Sequence, residues 1–254
     1  MRRHLLLAAV AIPAGLALLL GAEVLLAFRG PDLPDAAPFD LSGMVGDAGG
    51  APLRIAWIGD SVAAGVGASR PESTLPHLVA AALDRPVTLD VFAVSGERAA
   101  GALADQVPKV LALEPRPDVI VVEVGANDVT HLTGSMEFRL TYELILERVK
   151  RAGAAHVLAL GMPAFGTTPR FLQPLRAIVG WRAGRLDLQV RAAALARGAT
   201  YVDIAAVTGP RFGDDPERYH AADEFHPSDA GYRLWAEAVL GALGPLLGQE
   251  NSAP

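Results

Sequence analysis

Four short blocks carry the side chains best suited to covalent chemistry: Gly59-Asp60-Ser61, Ser95-Gly96-Glu97, Gly125-Ala126-Asn127-Asp128 and Asp223-Glu224-Phe225-His226-Pro227-Ser228. A serine hydroxyl needs a base before it is nucleophilic near neutral pH. His226 is the candidate base, and Asp223, three residues earlier, can fold back onto the other imidazole nitrogen, fixing its tautomer and stabilising the imidazolium. Taken alone, Ser61 reads nearly as well as a cap on a following helix. The Asp223/His226 block favours the nucleophile. Gly59 before Ser61 and Ala63-Ala64-Gly65 after it leave room for a substrate to approach the backbone. Asp60 and Asp128 read as hydrogen-bonding supports of their loops, Glu224 and Phe225 as bystanders, and Ser228 as the N-cap of a last helix.

These blocks must be brought together by the elements between them. Apolar runs at Leu53 to Ile58, Val87 to Val94, Val119 to Val124, His156 to Gly161 and Tyr201 to Ile204 read as strands. Helical composition falls near 71–83, 98–113, 135–152, 176–197 and 228–242, with Pro108 a candidate break in the second. Near-continuous apolar strands such as Val119-Ile120-Val121-Val122 suit a sheet covered on both faces, and the alternation implies parallel strands with right-handed crossovers. The expected class is an α/β three-layer sandwich. In such sheets sites form where loops leave the carboxyl ends of the strands, which is where the first three blocks fall.

In order and spacing the four blocks resemble the SGNH (GDSL-type) hydrolase family, over roughly residues 53–242. The resemblance implies a five-stranded parallel sheet of flavodoxin-like order 2-1-3-4-5. It implies a serine carboxylic-ester hydrolase, of esterase, lipase or O-acetylesterase type, with Ser61, Asp223 and His226 as catalytic triad. It also implies an oxyanion hole made of the Ser61 and Gly96 backbone N–H groups and the Asn127 side-chain amide, and no cofactor. Glycine at position 96 lets the backbone come close to a reacting oxygen, although a turn glycine after a strand is common. Transfer of the acyl group to another alcohol fits the same residues. From a different class, a catalytically silent, membrane-tethered glycan-binding module would keep the fold without the chemistry.

Other chemistries find less in the chain. A net charge of −6 gives no basic patch for nucleic acid. Cysteine is absent, which excludes disulfides, a thiol nucleophile and a lipidated cysteine. Apart from Asp223 and His226 no residues have metal-ligand spacing, and His4, His77, His131, His156 and His220 read as structural or exposed. Paired carboxylates acting on a glycosidic bond would leave Ser61 and His226 unexplained.

The N-terminus sets a separate expectation. Met1-Arg2-Arg3-His4 precedes an apolar run from Leu5 to Phe28 whose only charge is Glu23. At roughly 1.5 Å per residue, such a helix could cross a hydrocarbon core of about 30 Å. Residues 1–28 are therefore read as a signal-anchor or a signal peptide. The domain is then extracytoplasmic at the cell membrane, or secreted if the segment is cleaved; small-x-small cleavage sites at Ala22 and Ala27 fit poorly. Residues 29–50, with eight Gly or Pro and four Asp, read as a flexible spacer. The hydrolase domain is expected over 51–246 and a tail over 247–254. Met162 to Trp181, rich in Pro and aromatic residues, either lines an acyl pocket or lid, or packs onto the core.

Overall fold

The computed structural model describes residues 2–33, 38–46, 49 and 51–250, with the side chains of 2–12, 249 and 250 left out of the description. In chain order the elements are α1 (Arg2–Phe28), β1 (Gly43–Val45), β2 (Leu53–Gly59), α2 (Leu75–Ala81), β3 (Val87–Val91), α3 (Ala99–Gly101), α4 (Val107–Leu111), β4 (Val119–Glu123), α5 (Ala126–Thr130), α6 (Ser135–Lys150), β5 (His156–Leu160), α7 (Leu175–Arg197), β6 (Thr200–Val202), α8 (Ile204–Asp214), α9 (Pro216–Tyr219) and α10 (Asp229–Glu250).

The sheet runs β1-β3-β2-β4-β5-β6, and all pairs but the first are parallel. Without β1 this is the expected order of five strands. Side chains alternate between the two faces. Ala56, Ile58, Ile120 and Val122 enter one core with α6 and α7, whereas Ile55, Trp57, Val119 and Val121 enter the other with α2 and α10. All eight are fully buried, which explains why these strands read as continuous apolar runs rather than alternating ones. Each of these side chains other than that of Ala56 contributes on the order of 2 kcal/mol through burial.

Three differences from the sequence reading have local causes. Residues 29–50 are not spacer throughout: Gly43–Val45 pairs antiparallel with β3, and Leu41 is buried. Three residues flanked by glycine are too short a run to register as a strand. Pro108 does not break its helix. A π-helical turn over Ala102–Gln106 joins α3 to α4 directly before it, so one helix runs through the residue that lacks an N–H donor. Ile204–Asp214, unassigned in the sequence, is a helix capped by Asp203, whose carboxylate accepts the Ala206 N–H at 3.0 Å. Helix α10 continues to Glu250 through the expected tail, of which 251–254 lie outside the described residues.

The apolar N-terminal run is helical through Phe28, although the side chains of its first part, His4 included, lie outside the described residues. Among the described residues no helix is long and apolar enough to cross a membrane. The expectation of a transmembrane helix therefore lacks support here.

Candidate active site

The first three blocks leave the carboxyl ends of β2, β3 and β4, neighbours in the sheet. Ser61 stands two residues beyond β2 in a series of turns, not at the start of a helix, so its hydroxyl caps nothing. Its Oγ lies 2.9 Å from His226 Nε2. On the other side of the ring, His226 Nδ1 is 2.5 Å from Asp223 Oδ2. A carboxylate only accepts, so Nδ1 carries the proton and Nε2 is left to accept from the serine. The loop is closed by Asp223 Oδ1, which accepts the Phe225 and His226 N–H groups at 3.1 and 3.0 Å. Burial pushes the Asp223 carboxyl up, but its bonds to His226, the charge of that ring and the two amides outweigh this and hold it below the usual carboxylate range. Ser228 caps α10, its Oγ accepting the Gly231 N–H at 3.2 Å.

Asn127 lies in the first turn of α5, which follows Gly125 at φ +134°. Its Nδ2 donates to the Glu97 carbonyl at 2.9 Å, which ties the third block to the second and leaves one amide hydrogen for another acceptor. Asp128 makes the same connection from below, accepting the Ala99 N–H at 2.9 Å. Gly96 has φ +80°, and a Cβ there would meet no atom within 4 Å. The positive φ by itself calls for glycine in this turn, and no protein atom crowds the position. Among the described residues, the N–H groups of Ser61 and Gly96 donate to no protein acceptor.

Beneath Ser61 lies a layer of buried polar groups. Asp60 Oδ1 accepts the Val62 N–H at 3.2 Å and Glu123 accepts the Ala63 N–H at 3.0 Å, both within the turn that carries Ser61. Asp60 Oδ2 is buried without a donor, and the Glu123 carboxyl is its neighbour. Burial pushes Asp60 up to about 6, while burial and then the charge of Asp60 push Glu123 well above the usual range. A carboxyl proton between the two groups is the donor this arrangement calls for. Gln106, also fully buried, clamps both backbone groups of Gly59: its Oε1 accepts the N–H at 2.8 Å and its Nε2 donates to the carbonyl at 2.9 Å. Neither Glu123 nor Gln106 stood out in the sequence. A polar residue on the core side of an apolar element was the available signal.

One wall of the site is aromatic. Phe225 meets the His226 ring edge to face at 5.0 Å between centroids and packs with Phe165 and Phe171 at 5.8 and 5.9 Å. Phe225 is thus part of the site rather than a bystander, whereas Glu224 is exposed. Met162, Phe165 and Phe171 are buried while Leu172 and Trp181 are exposed, so most of the 162–171 stretch packs down. Pro163 and Phe165 also line a cavity of about 30 Å³ that reaches Ser61 and His226. Buried His220 lines the same cavity, and burial holds its pKa below the usual value. Among the described residues, no cluster of three His, Cys, Asp or Glu could hold a metal ion.

Residues 57–234 match the family described as GDSL-like lipase/acylhydrolase. A GDSL-like esterase of Mycobacterium tuberculosis is 31% identical over 200 residues, which are 77% of this chain and 63% of that relative's length. Among solved structures, TesA shares the fold with a TM-score of 0.61 at 23% identity, over 76% of this chain and 99% of its own. Axe2, an acetylxylan esterase from Geobacillus stearothermophilus, has a TM-score of 0.57 at 20% identity, over 76% of this chain and 94% of its own. With the four blocks in place and the matched region covering most of the domain, the chain belongs to the GDSL-like lipase/acylhydrolase family, whose chemistry is ester hydrolysis.

Proposed function

We propose that this protein hydrolyses carboxylic esters through an acyl-enzyme on Ser61. The carrying observation is the continuous chain of contacts from Ser61 Oγ to His226 Nε2 at 2.9 Å and from Nδ1 to Asp223 at 2.5 Å. Ser61 attacks the carbonyl carbon as His226 takes its proton; the proton passes to the departing alcohol, and water, activated by the same imidazole, releases the acid. Asp223 stays ionised and orients the ring. The tetrahedral oxyanion is received by the Ser61 and Gly96 N–H groups and by the free hydrogen of Asn127 Nδ2, donors fixed before the reaction begins. No step in this sequence calls for a cofactor.

The cavity beside Ser61 favours a short acyl group. At about 30 Å³ it holds two or three water-sized spheres, a volume on the scale of an acetyl group. An acetyl ester of a carbohydrate, the kind of substrate named for Axe2, fits this size. On p-nitrophenyl esters, acetyl is expected to be preferred over octanoyl; a preference for octanoyl would reverse the assignment toward lipid substrates.

A fluorophosphonate probe tests the mechanism directly. It is expected to label Ser61, and Ser61→Ala is expected to remove both labelling and nearly all turnover while leaving the thermal transition in place. Well-folded protein that takes no label would point instead to a silent binding module. An extracytoplasmic location, expected from Arg2, Arg3 and the apolar run, belongs to the same proposal and is checked by fractionation of the full chain.

A further inference from the structure

The end of α1 is bonded to the loop that carries Asp223. Glu23, the single charge in the apolar run, is only 3% exposed, and its Oε2 accepts the Leu175 N–H at 2.8 Å. Leu175 opens α7, whose first amides have no partner within their own helix. One turn further along, the Ala27 carbonyl accepts from Arg170 Nε at 2.5 Å. The same guanidinium donates through Nη1 to the carbonyls of Pro31 and, at 3.1 Å, Asp223, and its Nη2 reaches Asp32 at 3.4 Å. The Arg170 backbone N–H donates to the Glu224 carbonyl at 3.1 Å. Arg170 therefore touches the end of α1 and both residues of the 223–224 turn. Glu224 there has φ +59°, a left-handed conformation that a residue with a Cβ keeps only where its surroundings enforce it.

We propose that Arg170 is a positioning residue for Asp223, and that its hold depends on the docking of α1 through Glu23, so that residues 23–32 are a working part of the catalytic unit. A guanidinium is a rigid planar fork of five donors. With Nε and one Nη1 direction fixed by the Ala27 and Pro31 carbonyls, the plane is set and the remaining Nη1–H faces the Asp223 carbonyl. Without those carbonyls the long side chain is free to leave the loop. A chain cut after Ala27 would lose Glu23 and Ala27 together, and with them two of the contacts that hold α1 and Arg170 to the site.

This inference rests on the ester-hydrolase reading, and its test uses full-length protein with p-nitrophenyl acetate, kcat being counted per fluorophosphonate-labelled Ser61 so that misfolded molecules do not enter. Arg170→Met is expected to lower kcat by roughly tenfold to a hundredfold with KM within about twofold, the scale of a small misplacement of a catalytic group. Glu23→Ala, remote from the site, is expected to lower kcat by roughly threefold to tenfold, and the double variant to fall no further than Arg170→Met. Glu23→Gln keeps an acceptor oxygen and is expected to recover most of the loss. Full kcat in Glu23→Ala beside a depressed Arg170→Met would remove α1 from the catalytic unit, and full kcat in Arg170→Met would remove the positioning role. If the unsubstituted protein took no label, the ester-hydrolase reading itself would fail, and this one with it.

Discussion

His226 is held by three kinds of contact: a carboxylate on Nδ1, a hydroxyl on Nε2 and an aromatic edge against its face. The first decides the chemistry, because a carboxylate holds the proton on Nδ1, leaves Nε2 basic and stabilises the imidazolium that forms. Asp223→Asn preserves the size of the group and the oxygen that receives the Phe225 and His226 amides, so the loop should keep its shape. The amide can, however, present a donor to Nδ1 and favour the wrong tautomer. Turnover of p-nitrophenyl acetate is expected to drop by about 10⁴-fold with an unchanged circular dichroism spectrum. A drop of less than about tenfold would mean that some other group orients the ring. The grouping of Ser61, Asp223 and His226 was legible in the sequence through the resemblance of the four blocks to a family pattern, and the structure brings the three side chains into contact. Phe225 was not. Its part depends on which way a loop of six residues turns, and nothing in an isolated phenylalanine announces that.

Between the ends of β2 and β4, the Asp60 and Glu123 carboxyls couple strand packing to protonation. Both are raised by burial, so the folded state holds a proton that the unfolded chain releases near the ordinary carboxylate value. The stabilisation this gives is complete below about pH 4 and is lost as pH rises through the folded values, with a slope of at most about 1.4 kcal/mol per pH unit for one proton. Asp223 and Asp229, both lowered, act in the opposite sense, so the difference between two proteins is more informative than one curve. Glu123→Gln supplies a donor to Asp60 at every pH. Its stability relative to the unsubstituted protein, from urea unfolding, should therefore rise between pH 4 and 7. A constant difference over that range would exclude the shared proton. The elements themselves followed from period and composition wherever an apolar run was long. They did not follow at β1 or α8, where three residues flanked by glycine, and a helix with Gly209 and Pro210 inside it, give weak local signals.

At the scale of the molecule, the folded unit extends further toward the N-terminus than composition suggests. β1 covers the outer edge of β3, and Leu41 is buried beside it, its carbonyl 3.3 Å from His77 Nε2. A chain beginning at residue 38 keeps this edge paired, whereas one beginning at residue 51 leaves the N–H and C=O groups of β3 open to other chains. The shorter protein is expected to melt several degrees lower, by roughly 2–4 °C for each kcal/mol lost in a domain of this size, and to elute partly as aggregate. Equal melting points and monomeric elution for both would show β1 to be dispensable.

What the sequence determined by itself is what depends on local chemistry: the four blocks that carry the candidate reacting residues, and the parallel sheet, whose buried strands must be apolar along their whole length. The tertiary structure decided what depends on distant partners. Gln106 under Gly59, Glu123 beside Asp60, Phe225 against Phe165 and Phe171, and Arg170 between α1 and the 223–224 turn are each ordinary in their own segment. Their roles arise from bonds and contacts reaching up to 143 residues along the chain, the longest being that of Arg170 to Ala27. The Ser61, Asp223 and His226 constellation could be recognised from spacing because it is defined by chemistry; the support beneath it could not, because it is defined by proximity.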